Sequence, residues 1–276
     1  MRNILLALLI VVFAFPAFAA EKGNRESAYD RVMRTGTIRC GYIVYPPYLD
    51  RDVNTGKFSG IWFDLMEKLG RELSLKIEWT EETGTANAFT ALSAGRFDAL
   101  CTGALAVPAR TRVVNFTTPF YYDALYVVSR ADDKRFDEDL RKIDASDVKV
   151  YVLEGETAQF LTQEEFPHAT LVMQANLTDP GARFMDIISG KGDVTLVTIA
   201  NFRQFERNNP GKLKLVGREP MWVGQAGIVV PKGEFDLWAM LGTVVDHLNN
   251  TGFTRRTIQK YDNVVLPVAR PYEVTK

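Results

Sequence analysis

The stretch "AVPARTRVVNFTTPFYY", beginning at Ala106, sets Arg110 and Arg112 in a run without an acidic residue and closes in aromatics. A guanidinium placed there is either a solvated surface charge or a group waiting for an anion from outside the chain. Its planar fork can bond both oxygens of a carboxylate, and its charge does not switch off near neutral pH. The chemistry this offers is recognition of a small acidic molecule. Other chemistries lack the residues they need. His168 and His247 are the only histidines, far apart and in dissimilar contexts, so no familiar zinc set assembles. Neither a G-x-S-x-G elbow nor a phosphate loop ending in G-K-[ST] is present. In "SGKGD" the residue after the second glycine is Asp193, whose charge repels phosphate. Paired carboxylates are plentiful, but no spacing singles any out. A hydrolase or metal enzyme is disfavoured, and no cofactor is expected.

The elements that must position Arg110 alternate between strand and helix patterns, which argues for an α/β architecture with largely parallel sheets. "TIRCGYIVY" reads as a strand ending at the Pro46-Pro47 turn, and "DVNTGKFSG" has the composition of a hairpin tip. From Ile61 the apolar residues Leu65, Leu69 and Leu73 follow at every fourth position, a helical spacing. "KIEWTEE" is the next strand, "ANAFTALSAG" a helix closed by Gly95, and "FDALCTGAL" a buried strand just before Arg110. The second half repeats the theme with strands "KVYVLEG", "TLVMQA" and "DVTLVTI" and helices "TAQFLTQEEF" and "PGARFMDIISG". "AGIVVPKG" reads as a return strand and "EFDLWAMLGTVVDHLNNTG" as a long amphipathic helix ending at Gly252. Between the halves, "VVSRADDKRFDEDLRKIDASD" is rich in charge and reads as a solvated linker with a surface helix.

The chain of 276 residues is too long for one compact core and suits two lobes. Residues 1–19 read as a secretory signal peptide: Arg2, an apolar run from Ile4 to Phe15, and an A-x-A site at Ala17-Phe18-Ala19. The run falls short of the roughly 20 apolar residues that span a bilayer. A soluble exported protein in the periplasm is expected. Lys plus Arg number 33 against 34 for Asp plus Glu, so there is no basic field to hold nucleic acid. Cys40 and Cys101 both sit in buried-strand patterns, and either a disulfide or two buried thiols fits the residues.

Taken together these segments resemble the bacterial solute-binding proteins of family 3, the periplasmic receptors of polar amino-acid ABC importers, from about Gly36 to the region of Tyr261. The resemblance is carried by "GYIVYPPYL" for the opening strand and aromatic turn, "GIWFDLM" for a helix start, and "LSAGRFD" before the third strand. Its most specific part is "GALAVPARTRVVNFTTPFYY", with Gly103, Pro108, Arg110, Phe116, Pro119 and Tyr121 in the family's places. "LEGETAQF" and "SGKGDVTLVT" match in the second half.

The resemblance implies a two-lobed periplasmic-binding-protein fold, with two α/β lobes joined by crossover strands near "ALYVVS" and "WVGQAGIVV". Residues 36–123 plus 225–276 form lobe 1, and 124–224 form lobe 2 with the hinge strands at its ends. It implies a monomer that encloses a small carboxylate ligand by hinge closure and delivers it to an inner-membrane ABC permease. The arginine at the place of Arg110 grips the ligand carboxylate, helped by backbone N–H groups near Gly103 and by the helix start at Thr157. Tyr45 stacks on the ligand, and Thr85 stands where the family has its second wall aromatic.

Departures from the pattern bear on the ligand. The acid that holds an α-ammonium in the family is Thr198 here, Leu105 replaces a ligand-facing threonine, and Tyr42 replaces an acidic residue. Trp62 stands in place of an aspartate, either refilling the wall or packing in the core with Ile61 and Leu65. With Thr198 on the wall facing Arg110, no negative group is expected there unless Glu154 or Glu156 reaches in. Burying an ammonium without a counter-ion costs several kcal/mol. The expected ligand is therefore a carboxylate that is not an ordinary α-amino acid. Two alternatives use the same cleft. One is a receptor serving a membrane sensor; the other is an enzyme resembling periplasmic cyclohexadienyl dehydratase. For the enzyme Glu156 is the nearest acid, but the family's acid position is occupied by Gln159.

Overall fold

The computed structural model describes residues 26–175, 181–261 and 264–268. The export segment expected at 1–19 lies outside them. The first half runs α1 (Ala28–Thr35), β1 (Thr37–Tyr42), the short hairpin β2 (Asp50–Arg51) and β3 (Phe58–Ser59), α2 (Ile61–Leu73), β4 (Lys76–Glu82), α3 (Ala88–Ser93) and β5 (Ala99–Leu105). A 3-10 turn, Pro108–Arg112, then leads to β6 (Val114–Phe116) and the long strand β7 (Tyr121–Arg130). The second half runs β8 (Lys149–Leu153), α4 (Thr157–Glu165), β9 (Thr170–Gln174), α5 (Ala182–Ile188), β10 (Val194–Thr198), α6 (Ile199–Asn208) and β11 (Leu213–Val216). The chain then returns through β12 (Trp222–Pro231) to α7 (Phe235–Asn250), α8 (Phe253–Lys260) and β13 (Leu266–Pro267).

The strands follow the order β4-β1-β5-β12-β7-β10-β8-β9. Strands β1, β4 and β5 pair in parallel, as do β8, β9 and β10. Between the two parallel groups lie β7 and β12, antiparallel to each other, with β12 also antiparallel to β5 and β7 to β10. This is the two-lobed α/β fold expected from the sequence, with β7 and β12 as the crossover pair. Each parallel group has its own apolar core. One gathers Ile38, Leu65, Leu69, Leu241 and Val245, and the other Val127, Val150, Val152, Leu161 and Leu196.

Helix α2 shows how periodicity becomes packing. Ile61, Trp62, Leu65, Met66 and Leu69 are buried on one face, each such side chain contributing about 1.5–3 kcal/mol on burial. Asp64 in its first turn and Arg71 in its last complement the helix dipole. Cys40 on β1 and Cys101 on β5 are joined in a disulfide, their Cα atoms 5.5 Å apart, which decides between the two states the sequence left open.

Three details differ from the sequence reading. The charged stretch after β7 forms no surface helix; it holds a 3-10 turn, Leu140–Ile143, and is pinned by Phe136 and Ile143 in the second core. Its apolar residues are too few and too irregularly spaced for a helix face. Tyr42 is not on a ligand wall, because strand alternation turns it into the core, edge-on to Phe58 and Trp79. Trp62 is likewise fully buried in the core rather than refilling a wall. It lies directly beneath Gly103, whose φ is +59° and where a Cβ would sit 1.9 Å from the indole ring, so only glycine fits there.

Candidate ligand-binding cleft

Arg110 is carried by the 3-10 turn after β5, where Pro108 occupies the first turn and the Arg110 N–H donates to the Val107 carbonyl. The side chain points inward and is only 7% exposed. Its Nη1 donates to the Leu105 carbonyl (2.8 Å) and to Thr157 Oγ1 (3.1 Å), and its Nη2 to the Gly155 carbonyl (2.7 Å). The guanidinium stacks over Phe89 at 4.5 Å and lies 5.4 Å from the Phe160 ring. Its Nε is buried without a partner. No carboxylate of the described residues forms an ion pair with it. Burial lowers its pKa to about 10, the charge of Glu156 opposing the shift, so it stays cationic at neutral pH. A buried cation without a counter-ion is costly, and an anionic guest would relieve that cost.

Gly155 brings the two halves into contact. Its φ is +76°, and a Cβ there would lie 2.4 Å from the Ala86 Cα. Thr85 donates across the same contact to the Glu154 carbonyl at 2.5 Å, and Asn201 Nδ2 donates to the Pro46 carbonyl at 3.0 Å. Alongside lies a part-buried cluster around the fully buried Arg183. Tyr45 Oη donates to Glu156 Oε1 (2.7 Å) and accepts from Arg183 Nη2 (2.6 Å), while Arg183 Nη1 donates to Glu156 Oε2 (2.6 Å). Glu156 precedes α4 and Arg183 belongs to α5, so the cluster ties the turn after β1 to the second parallel group.

These contacts enclose a cavity of about 110 Å³, enough for several waters or one small solute. Of the residues expected from the sequence, Tyr45, Thr85, Gly103 and Leu105 line it. Arg110, Thr157 and Thr198 line it too, whereas Tyr42 and Trp62 do not. Thr198 ends β10 and caps α6, accepting from the Asn201 N–H and donating to Asn201 Oδ1 at 3.0 Å.

The expectation of a wall without a negative group is overturned. Glu156 and Asp123 both line the cavity. Glu156 is engaged by Arg183 and Tyr45, but Asp123, on β7, meets no cation among the described residues. Its Oδ2 accepts from Tyr48 Oη (2.6 Å) and its Oδ1 from the Ala124 N–H (2.9 Å). Desolvation raises its pKa to about 7 against the lowering effect of those two bonds. Thr198 pairs in register with Leu125, two residues along β7 from Asp123, so an acid stands close to the expected position but on another strand. An aspartate inside the apolar run "FYYDALYVV" was the sequence signal for it. Arg183, Phe89 and Phe160 carried no comparable signal.

A two-lobed α/β protein with a guanidinium buried at a small interlobe cavity is, by fold and site, a cleft-type solute-binding protein. The chain belongs to the bacterial extracellular solute-binding proteins, family 3, whose model matches residues 38–263. It is 26% identical over 258 residues to the putative ABC transporter arginine-binding protein 2 of Escherichia coli K12, covering 91% of this chain and 95% of that one. It is 24% identical over 210 residues, 76% of each chain, to ABC transporter arginine-binding protein 1 of the same organism. Among solved structures it is similar to the ancestral amino acid-binding protein AncCDT-1, a precursor of cyclohexadienyl dehydratase. That match has a TM-score of 0.74 and 23% identity, covering 86% of this chain and 99% of that one.

Proposed function

We propose that this protein is a periplasmic, monomeric substrate-binding component of an ABC importer that captures a small carboxylate-bearing solute, not an ordinary α-amino acid, and presents it to an inner-membrane permease. Residues 36–123 with 225–276 would move against 124–224 as the cleft opens and closes. The observation that carries this reading is Arg110, buried on the cavity wall with no ion pair to an acid among the described residues. Charge-assisted bonds from such a guanidinium are worth roughly 1.5–3 kcal/mol each. The exclusion of an α-ammonium is supported by two engagements: Thr198 is held by Asn201 and Glu156 is paired with Arg183, which leaves Asp123, buried and costly to ionise, as the acid that an ammonium would have to recruit.

A thermal-shift screen over carboxylates with and without an α-ammonium tests the reading. A ligand at 100 times its dissociation constant stabilises by about 2.7 kcal/mol, a readily measured shift. Stabilisation by unmodified amino acids alone would refute it. A second reading, catalysis on the same scaffold, is supported by the burial of the Asp123 carboxyl on the cavity wall, where desolvation raises its pKa to about 7 and suits it to general acid work. Glu156 is poorly placed for that role because the Arg183 guanidinium occupies both its oxygens, and Gln159 accepts the Gly155 N–H. Turnover of prephenate or arogenate at enzymatic rates would favour the second reading.

A further inference from the structure

Among the described residues Asp123 is the one acid on the cavity wall that no cation answers, and its role follows from what surrounds it. On its own strand Tyr121 is adjacent in space, its Oη accepting from Trp62 Nε1 at 2.6 Å. From the Pro46-Pro47 turn comes Tyr48, the donor to Oδ2. On β12 its register partner is Gly224, with no ionisable group at the neighbouring positions Trp222 to Ala226. From β10 and α6 come Thr198 and Asn201, both uncharged. Elsewhere on the cavity wall are Tyr45, Arg110 and Glu156, the last bound to Arg183. The phenols of Tyr45, Tyr48 and Tyr121 are pushed upward, chiefly by burial, and stay neutral.

We propose that Asp123 is a specificity-determining ligand contact acting as an uncharged carboxylic acid, whose O–H donates to a hydroxyl or keto oxygen of a carboxylate held by Arg110. This rests on the carboxylate reading above and sharpens it: the ligand class is a hydroxy- or oxo-carboxylate. Each Asp123 oxygen already receives one bond from a neutral donor. The neutral acid adds a donor of its own, and Tyr48 and Tyr121 leave lone pairs to accept from a ligand hydroxyl. With Asp123 neutral and Arg110 charged, a mono-anionic guest brings the pair of charges at the Arg110 end to zero. Ionised Asp123 would instead set a second negative charge in the same small cavity as that guest. The placement of its carboxyl near neutrality, rather than in the usual acid range, fits this state.

The test uses the purified exported protein and matched probes: butyrate, 2-hydroxybutyrate, 3-hydroxybutyrate, 2-aminobutyrate and, for a larger skeleton, 3-phenylpropionate, 3-phenyllactate and phenylalanine. Binding is measured by calorimetry at pH 6 and pH 8. A hydroxy acid is expected to bind at least tenfold tighter than its deoxy partner at pH 6, and to weaken at least fivefold by pH 8. Asp123→Asn, which keeps a donor and no charge, is expected to flatten that pH dependence; Asp123→Ala is expected to abolish the preference for the hydroxyl. If deoxy and hydroxy acids bind alike in wild-type protein, or the pH profile is flat, the inference falls while the carboxylate reading stands. If no carboxylate binds at either pH, both fall. If an amino acid binds best, tightens as pH rises and is lost in Asp123→Asn, then Asp123 is an ammonium counter-ion and the inference is overturned. The wild-type pH profile decides even if a variant misfolds.

Discussion

Two buried ionisable side chains with opposite problems define the cavity. Arg110 keeps its charge at the cost of burial, and its Leu105, Gly155 and Thr157 partners supply dipoles rather than a counter-charge. Arg110→Gln should therefore weaken binding of any carboxylate ligand by roughly ten- to a hundredfold, the worth of one charge-assisted bond. Calorimetry checks it, with circular dichroism confirming the fold. Asp123 instead tends to lose its charge. Its pKa lies near 7 in the folded protein against an ordinary value of 3.8, so the folded state binds the proton more tightly than the unfolded chain. Its contribution to stability is then fully present below about pH 4 and is lost as pH rises to about 7, by about 4 kcal/mol at most. Asp123→Asn should match wild type in acid and become the more stable protein toward pH 8. Urea unfolding at pH 4, 6 and 8 measures the crossover, and parallel curves at all three would contradict it.

At the level of elements, the turn after β1 meets the starts of α4 and α5, and in the proposed hinge motion closure would depend on that contact. Tyr45, Glu156 and Arg183 form that junction, and Gly155 lets the backbones approach. Glu156→Gln takes the negative charge from its pair with the fully buried Arg183, and losing these charge-assisted bonds should cost about 1.5–3 kcal/mol. Tyr45→Phe removes a phenol bridging the pair and should cost about 1 kcal/mol. Both should shift the protein toward an opened cleft, seen as a larger radius of gyration by small-angle X-ray scattering. An unchanged radius in both variants would mean the junction does not hold the cleft shut. Gly155→Ala tests the backbone approach separately, since its Cβ meets Ala86 whatever the charges do.

For the whole molecule, the Cys40–Cys101 disulfide closes a loop with a sequence separation of 61 and ties β1 to β5 inside one parallel group. In the chain-entropy account such a loop is worth about 4 kcal/mol. Reduction, or replacement of both cysteines by alanine, should lower the melting temperature by about 10 °C. Ligand affinity should barely change, because neither cysteine lines the cavity. A large loss of affinity on reduction would show that the bridge also shapes the site.

Much was legible in the sequence because it is local. The period-four pattern from Ile61 and the apolar strand runs foretold α2 and the parallel groups, whereas an inward Arg110 followed from the family resemblance of "GALAVPARTR", its local residues fitting a surface charge equally well. Helix α6 is not legible in the sequence because "NFRQFERN" has a polar surface face and a start set by Thr198, a cap that reads from sequence as the end of a strand. What only the tertiary structure decided were contacts between residues distant along the chain. Asp123 became a cavity wall through the register of β7 with β10 and β12, Glu156 met Arg183 across two helix starts, and Trp62 came to lie under Gly103. Local side-chain pattern dictates which face of an element is apolar. Only the packing of separate elements determines which buried charge finds a partner within the fold and which is turned to the cavity wall without one.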